Sequence, residues 1–198
     1  MIAEQDELNK LSEKKSAQLL VISDSHGHKE NLYDALIQKG KECDALIFLG
    51  DGIEDLLNLI EENHNLEQKD KFLPSVIVFV QGNGDDSYYS YYTDEIKKID
   101  IPETQEITAA GKRIFITHGH RFNVYYTLHR LEEKLETEDY DIVLFGHTHV
   151  PFQERLGSKL LLNPGSISLP RNHSNKCFVV LTVEKFSPQI KYEFFTVN

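Results

Sequence analysis

Cysteine is nearly missing from this chain of 198 residues: only Cys43 and Cys177 occur, far apart and in no Cys-x-x-Cys arrangement. Neither a disulfide framework nor a thiolate zinc site is indicated, and a reducing cytoplasm is the simplest setting. Positive charge is scarce as well. The 21 Lys and Arg are outnumbered by 32 Asp and Glu, for a formal net charge of -11. That balance argues against an extended nucleic-acid surface or an anionic membrane as partner, because either would be repelled over most of the approach. A phosphate ligand would need a strong local positive charge. Long apolar runs are also absent. Residues 1–16 carry Glu4, Asp6, Glu7 and Glu13 with no apolar stretch of signal-peptide length, and nothing later is apolar for long enough to span a bilayer. The expectation is a soluble, unprocessed, cytoplasmic protein with no membrane partner. There is no internal repeat or low-complexity tract.

What is present is enough apolar material, 40% of the residues, for one well-filled core. Residues 17–198 are expected to form a single domain, with 1–16 a short helical or frayed extension. Short apolar runs recur, each too short for a helix, and each stops at polar residues suited to binding. The run 45–49 drives into Gly50-Asp51-Gly52, and 18–22 leads into Ser23, Asp24, His26 and His28. The run 75–80 precedes Gly82-Asn83-Gly84-Asp85, 113–117 ends at His118-Gly119-His120, and 141–145 meets Gly146-His147-Thr148-His149. Between them, Leu32, Leu36 and Ile37, then Ile53, Leu56, Leu57 and Ile60, then Leu128, Leu131 and Leu135 recur at helical spacing. Ala110-Gly111-Lys112 reads as a hairpin turn, and His129 belongs to the solvated side of the helix expected over 126–136. Tyr88, Tyr89, Tyr91 and Tyr92 read as partly buried packing; this cluster or the N-terminal extension offers a contact for a homo-oligomer.

On its own segment, Asp51 serves equally well as a cap for the following helix. The set of strand ends decides otherwise. Five of the nine histidines, His26, His118, His120, His147 and His149, lie at these strand ends, and carboxylate with imidazole suits manganese, iron, zinc or a similar divalent ion. Backbone amides near Gly27 and Gly52, at the starts of two helices, add favourable dipoles for an anion.

These motifs resemble those of the calcineurin-like metallophosphoesterases, and within them the small bacterial and archaeal YfcE-like phosphodiesterases. The resemblance runs from about Leu19 to Arg171. It rests on Asp-x-His at 24–26, Gly-Asp at 50–51, Gly-Asn at 82–83, Thr-His-Gly-His at 117–120 and Gly-His-Thr-His at 146–149, then Asn-Pro-Gly-Ser at 163–166 and Arg171. It implies an α+β fold of four layers, αββα: a two-sheet β-sandwich flanked by helices, with a dimetal site at the strand ends. Periodicity alone shows only mixed α and β. The resemblance further implies that Asp24, His26, Asp51 and His149 hold one metal and Asp51, Asn83, His118 and His147 the second. Asp51 would bridge, a role that calls for two oxygens. The two ions are expected to be Mn2+, with Fe, Zn, Ni or Mg as alternatives. Two divalent ions against the two ligand charges of Asp24 and Asp51 leave a net positive site, which answers the problem of phosphate binding to an acidic chain.

The implied reaction is hydrolysis of a small phosphate ester by a metal-bridging hydroxide. Many members of the wider family place a histidine directly after the asparagine as leaving-group acid, where this chain has Gly84. His120 is the local candidate for catalysis or substrate binding, with Asn83 and Arg171 as further substrate contacts and Asn123 a weaker one. His28 reads rather as a helix-start residue. Without a strong acid, aryl phosphodiesters are the favoured substrates. The alternatives are a phosphomonoesterase or nucleotidase at the same site, and a non-catalytic scaffold resembling the retromer subunit of this fold. The scaffold is disfavoured because every implied metal position keeps a ligand-competent residue.

Overall fold

The structure, a computed structural model, describes residues 1–197. Helix α1 (Gln5–Glu13) leads into β1 (Ser16–Ile22), α2 (Lys29–Lys39), β2 (Ala45–Phe48), α3 (Ile53–His64) and β3 (Val76–Phe79). A ribbon of β4 (Tyr88–Tyr92) and β5 (Ile96–Asp100) follows, then β6 (Thr104–Ala109), β7 (Lys112–Thr117), α4 (His129–Thr137) and β8 (Ile142–Leu144). The chain closes with β9 (Pro151–Leu156), β10 (Lys159–Pro164), β11 (Cys177–Glu184) and β12 (Lys191–Thr196). Two five-stranded sheets result, in the orders β12-β11-β1-β2-β3 and β6-β7-β8-β10-β9.

The expected four layers are present. Alternate residues of the first sheet's parallel strands divide between two cores: Leu19, Val21, Ala45, Ile47, Val76 and Val78 face the second sheet, where Ile114, Ile116, Ile142, Leu144, Leu160 and Leu162 meet them. Their neighbours Leu20, Ile22, Leu46, Phe48, Ile77 and Phe79 face outward and pack with Leu32 and Leu36 of α2 and Leu56 and Ile60 of α3. On the opposite outer face Phe115, Val143, Phe145 and Leu161 pack with Leu131 and Leu135 of α4. A strand buried on both faces reads as a continuous apolar run, which is why each core strand was visible while its sheet was not.

Strand direction places the chemistry. The strands β1, β2 and β3 are mutually parallel, as are β7, β8 and β10. Such pairs need crossovers, which α2, α3 and α4 help supply. Their carboxyl ends therefore gather along one edge, the usual place for a ligand in sheets of this kind.

Three boundaries move. Strand β1 begins at Ser16, within the stretch expected to precede the domain, and α1 packs beside β6 with Leu11 buried and its carbonyl accepting from Ala110 N–H. Helix α4 begins at His129 rather than 126, because a 3-10 turn over His120–Phe122 and a left-handed Asn123 (φ 57°) use up the preceding residues. The tyrosine run splits by strand alternation: Tyr91 is buried and Tyr89 half-buried beside it, while Tyr88 and Tyr92 are exposed. No helix is long and apolar enough to cross a membrane. Cys43 and Cys177 are buried free thiols.

Candidate metal centre

Six of the expected metal ligands meet at the gathered strand ends, in two groups: Asp24, His26 and His149, and Asp51, His118 and His147. The sequence delivers them by the same device each time, an apolar strand that ends one to five residues before a ligand. Five of the six, Asp24, His26, Asp51, His147 and His149, stand at φ between 48° and 69°. That left-handed conformation is disfavoured for any residue with a side chain, and costs about 1–3 kcal/mol apiece. These ligands make up half of the ten non-glycine residues at positive φ, which points to positions held for chemistry rather than for packing. Glycine permits the close approach behind them: a side chain at Gly82 would begin 2.1 Å from Asp51 Oδ1.

The atoms converge. Asp24 Oδ1 lies 3.2 Å from His149 Nε2 and 3.6 Å from His26 Nε2, and those two nitrogens are 3.1 Å apart. Asp51 Oδ2 lies 3.4 Å from His118 Nε2 and 3.6 Å from His26 Nε2, so the two groups share an edge. Asp24 Oδ1 and His118 Nε2 are buried without a hydrogen-bond partner, an arrangement that a bound cation would satisfy. Two carboxylates and four imidazoles form the donor set of a divalent metal, and the residues fit one.

Neighbouring groups fix which atoms remain available. The Nδ1 of His118 is 2.6 Å from Leu49 O and that of His149 is 2.7 Å from Leu169 O, so each ring donates from Nδ1 and presents Nε2. Asp24 Oδ2 accepts from Ser23 Oγ (2.5 Å) and His147 N (3.2 Å), which leaves Oδ1. Asp51 Oδ1 accepts from Gly84 N at 2.6 Å, which leaves Oδ2 alone facing both groups. The expected bridging carboxylate thus has one oxygen in a backbone hydrogen bond. Asn163 donates to Gly146 O (2.7 Å) and Thr148 Oγ1 (3.1 Å) and accepts from Gly165 N (2.8 Å), pinning the turn that carries His147 and His149.

Charge follows from this packing. Burial pushes the Asp24 carboxyl up, but His149, His26 and His118 together hold it well below the usual carboxylate range. Asp51 is lowered against its own burial by His118 and the Gly84 amide. His118 and His149 are raised despite burial, by Asp51 with Asp24 and by Asp24 respectively. Burial and the nearby His118 lower His147 to about 4, and the same two causes, with Arg121, lower His120.

Of the other expected site residues, His120 lies close: its ring is 5.5 Å from that of His118 and its Nδ1 is buried without a partner. Asn83 sits exposed in the turn that sends Gly84 N–H to Asp51. Arg171 is exposed, with its N–H on His149 O and its guanidinium 5.5 Å over the Tyr125 ring. His28 precedes α2 and pairs with Glu30 at 3.4 Å. The helix-start amides expected to greet an anion are already taken. Asp85 accepts from the backbone N–H of Asp51, Gly52, Ile53 and Gly82 at 2.7–3.0 Å, and Asp55 accepts from Gly27 N (2.9 Å) and Ser25 Oγ (2.6 Å). Asp85, not Asp51, caps α3. Its only sequence signal is a carboxylate closing the Gly82-Asn83-Gly84 turn; Asp55 carries none that separates it from surface polar residues, whereas Asn163 opens the Asn-Pro-Gly-Ser motif.

A two-sheet sandwich with helices outside and paired carboxylate–imidazole clusters at one edge defines a metal-dependent hydrolase. Residues 18–185 match the model of the calcineurin-like phosphoesterase superfamily domain, and the chain belongs to that superfamily. It is 31% identical over 174 residues to the probable metallophosphoesterase YsnB of Bacillus subtilis, covering 88% of this chain and 89% of that protein. It is 28% identical over 163 residues to the phosphodiesterase YfcE of Escherichia coli K12, covering 77% and 80%. Among solved structures, a predicted phosphoesterase of Streptococcus pneumoniae TIGR4 superposes with a TM-score of 0.68 at 26% identity, over 92% of this chain and 91% of that one. Vacuolar Protein Sorting 29 of Cryptosporidium parvum superposes with a TM-score of 0.67 at 16% identity over 93% and 100%, a likeness of fold alone. The chain is a metallophosphoesterase with a divalent-metal site.

Proposed function

We infer that the preferred reaction is hydrolysis of a small phosphodiester. The observation that carries the reading is the pair of buried, unpartnered atoms, Asp24 Oδ1 and His118 Nε2, within one cluster of carboxylates and imidazoles. Asp24, His26, Asp51 and His149 would hold one ion and Asp51, Asn83, His118 and His147 the other, with Asp51 common to both. Manganese is the leading candidate for both, since hard carboxylate and borderline imidazole donors together suit it, with Fe, Zn, Ni and Mg as competitors. When bound, the ions supply Lewis acidity, an activated water and charge neutralisation at phosphorus.

The chain's own groups do the rest. The N–H donations from His118 and His149 to backbone carbonyls hold their rings in the metal-binding tautomer. His120, with its pKa lowered, is neutral at pH 7 and serves as a hydrogen-bond partner for a phosphoryl or leaving oxygen rather than as a strong acid. With glycine at 84, nothing at that position protonates the leaving group, so esters of acidic alcohols react best. Arg171, whose backbone N–H bonds to His149 O, supplies a cation for a phosphoryl oxygen. The scaffold reading fits less well, because five strained ligand positions would cost stability with no return. We read 17–198 as the working domain and 1–16 as an extension, active in the cytoplasm; the exposed faces of Tyr88 and Tyr92 are its candidate homo-oligomer contact.

Purified protein loaded with Mn2+ should turn over a bis-aryl phosphate at least about tenfold faster, by kcat/KM, than the mono-aryl phosphate. Equal rates would remove the inference from Gly84. Full activity in both Asp51→Asn and His118→Ala would defeat the site assignment.

A further inference from the structure

A cavity of about 360 Å³ opens beside the metal centre, lined by Tyr125, Leu128, Phe145, Val150, Phe152 and Arg171. It adjoins the centre across a single turn: Thr148, which also lines it, stands between the candidate ligands His147 and His149. Tyr125 forms the wall between them, its ring 4.7 Å edge-on from that of His147 and its hydroxyl donating to His147 O at 3.1 Å. Apart from Thr148, Arg171 and Asn172 the walls are aromatic and aliphatic, and the rings of Phe145 and Phe152, 6.1 Å apart, continue into the core under α4. At the mouth, Arg171 makes a cation–π contact with Tyr125 and, among the described residues, no ion pair. In a chain of net charge -11, a cation with no carboxylate partner at the rim of an apolar cavity is unusual. An apolar chamber with one cation at its mouth, next to a site for phosphate, matches an anion that carries a flat apolar group.

We propose that this cavity receives an aromatic ester group of the substrate while Arg171 binds the phosphoryl group, so that the enzyme selects phosphodiesters of aromatic alcohols by affinity. The proposal rests on the phosphodiesterase reading and adds the substrate class to it. Tyr125 and Phe152 offer the ring its contacts, and the turn 146–149 sets how far it stands from the reacting phosphorus.

The test uses two anions with no hydrolysable ester bond, diphenylphosphinate and dimethylphosphinate, as inhibitors of the Mn2+-loaded full chain. Diphenylphosphinate should inhibit at least tenfold more strongly. Leu128→Trp, which fills the cavity away from the metal ligands, should remove that preference, and Arg171→Ala should weaken both anions to a similar extent. Saturation-transfer NMR on the metal-free protein gives a second readout: transfer to the phenyl protons in the wild type and its loss in Leu128→Trp. Melting curves confirm that the variants fold, and Phe152→Ala replaces Leu128→Trp if the latter does not. Equal inhibition by the two anions, or a preference that survives the filled cavity with phenyl transfer intact, overturns the proposal. Wild-type protein that hydrolyses no phosphate ester with any metal defeats instead the reading on which it rests.

Discussion

The two sheets contribute different chemistry to the same edge. The first sheet, through the ends of β1 and β2, delivers both carboxylates and one imidazole: Asp24, His26 and Asp51. The second, through β7 and β8, delivers only imidazoles: His118, His147 and His149. Neither sheet owns a complete group, since each cluster takes its carboxylate from the first sheet and at least one imidazole from the second. The first sheet thus carries the carboxylates and the second imidazoles alone. Their turns are pinned accordingly: a carboxylate, Asp85, holds the Asp51 turn by four amides, and a neutral amide, Asn163, holds the His147–His149 turn.

The contrast is broken most strongly at Asp51. Asp51→Asn should lower turnover of a bis-aryl phosphate by at least about 100-fold and reduce bound Mn2+ at both positions, whereas His118→Ala should empty one position preferentially. Elemental analysis of metal per chain separates these outcomes, and loss of a single ion from Asp51→Asn would sink the shared-carboxylate claim. Next is Asn163→Ala, which should weaken metal binding by about 10–100-fold, because it loosens the turn shared by ligands of both groups. A titration with unchanged affinity would show that the turn holds itself. Asp85→Ala should destabilise the metal-free protein by about 2–3 kcal/mol through the loss of charged acceptors for four amides, read from the urea midpoint. A shift under about 0.5 kcal/mol would mean that water replaces the carboxylate freely.

The smallest effect is a change of sign with pH. In the metal-free protein His118 and His149 have raised pKa values, so the folded state holds more protons than the unfolded one above pH 7. Stability from these pairs is full below the ordinary imidazole value of about 6.5 and is lost as pH rises through the raised values. His147, lowered to about 4, is neutral in the folded and largely neutral in the unfolded state over the same window and does not oppose the trend. The melting temperature of the metal-free protein should therefore fall from pH 7 to pH 8. With Mn2+ at a fixed subsaturating concentration it should rise, because binding requires neutral imidazoles. Parallel curves would contradict the ion-paired state of the two histidines.

Much of this comparison was legible in the sequence. Each ligand follows an apolar run, and the left-handed conformation that Asp and His tolerate better than most residues suits the turns in which they sit. What the chain could not disclose was the partition of strands. Leu19-Leu20-Val21-Ile22 is apolar at every position, so nothing in it says that Leu19 faces a sheet and Leu20 a helix. Nor do the supporting groups announce themselves. Asp85 looked like a loop carboxylate and Gly52 like a free helix start, and only the fold shows that the first occupies the second. The true start of α4 was hidden for a similar reason: Leu128 shares the spacing of Leu131 and Leu135 although the helix opens only at His129.

Gly84 has a consequence for how such a site can change. A side chain added there begins 3.2 Å from Asp51 Oδ1 and 3.5 Å from its carboxyl carbon, while the Gly84 amide holds that same oxygen at 2.6 Å. A histidine introduced at 84 would press on the carboxylate that faces both clusters before it could reach a leaving group. A proton donor at this position would thus need the carboxylate to give by a few tenths of an ångström, so leaving-group assistance and the placing of Asp51 are not independent at residue 84.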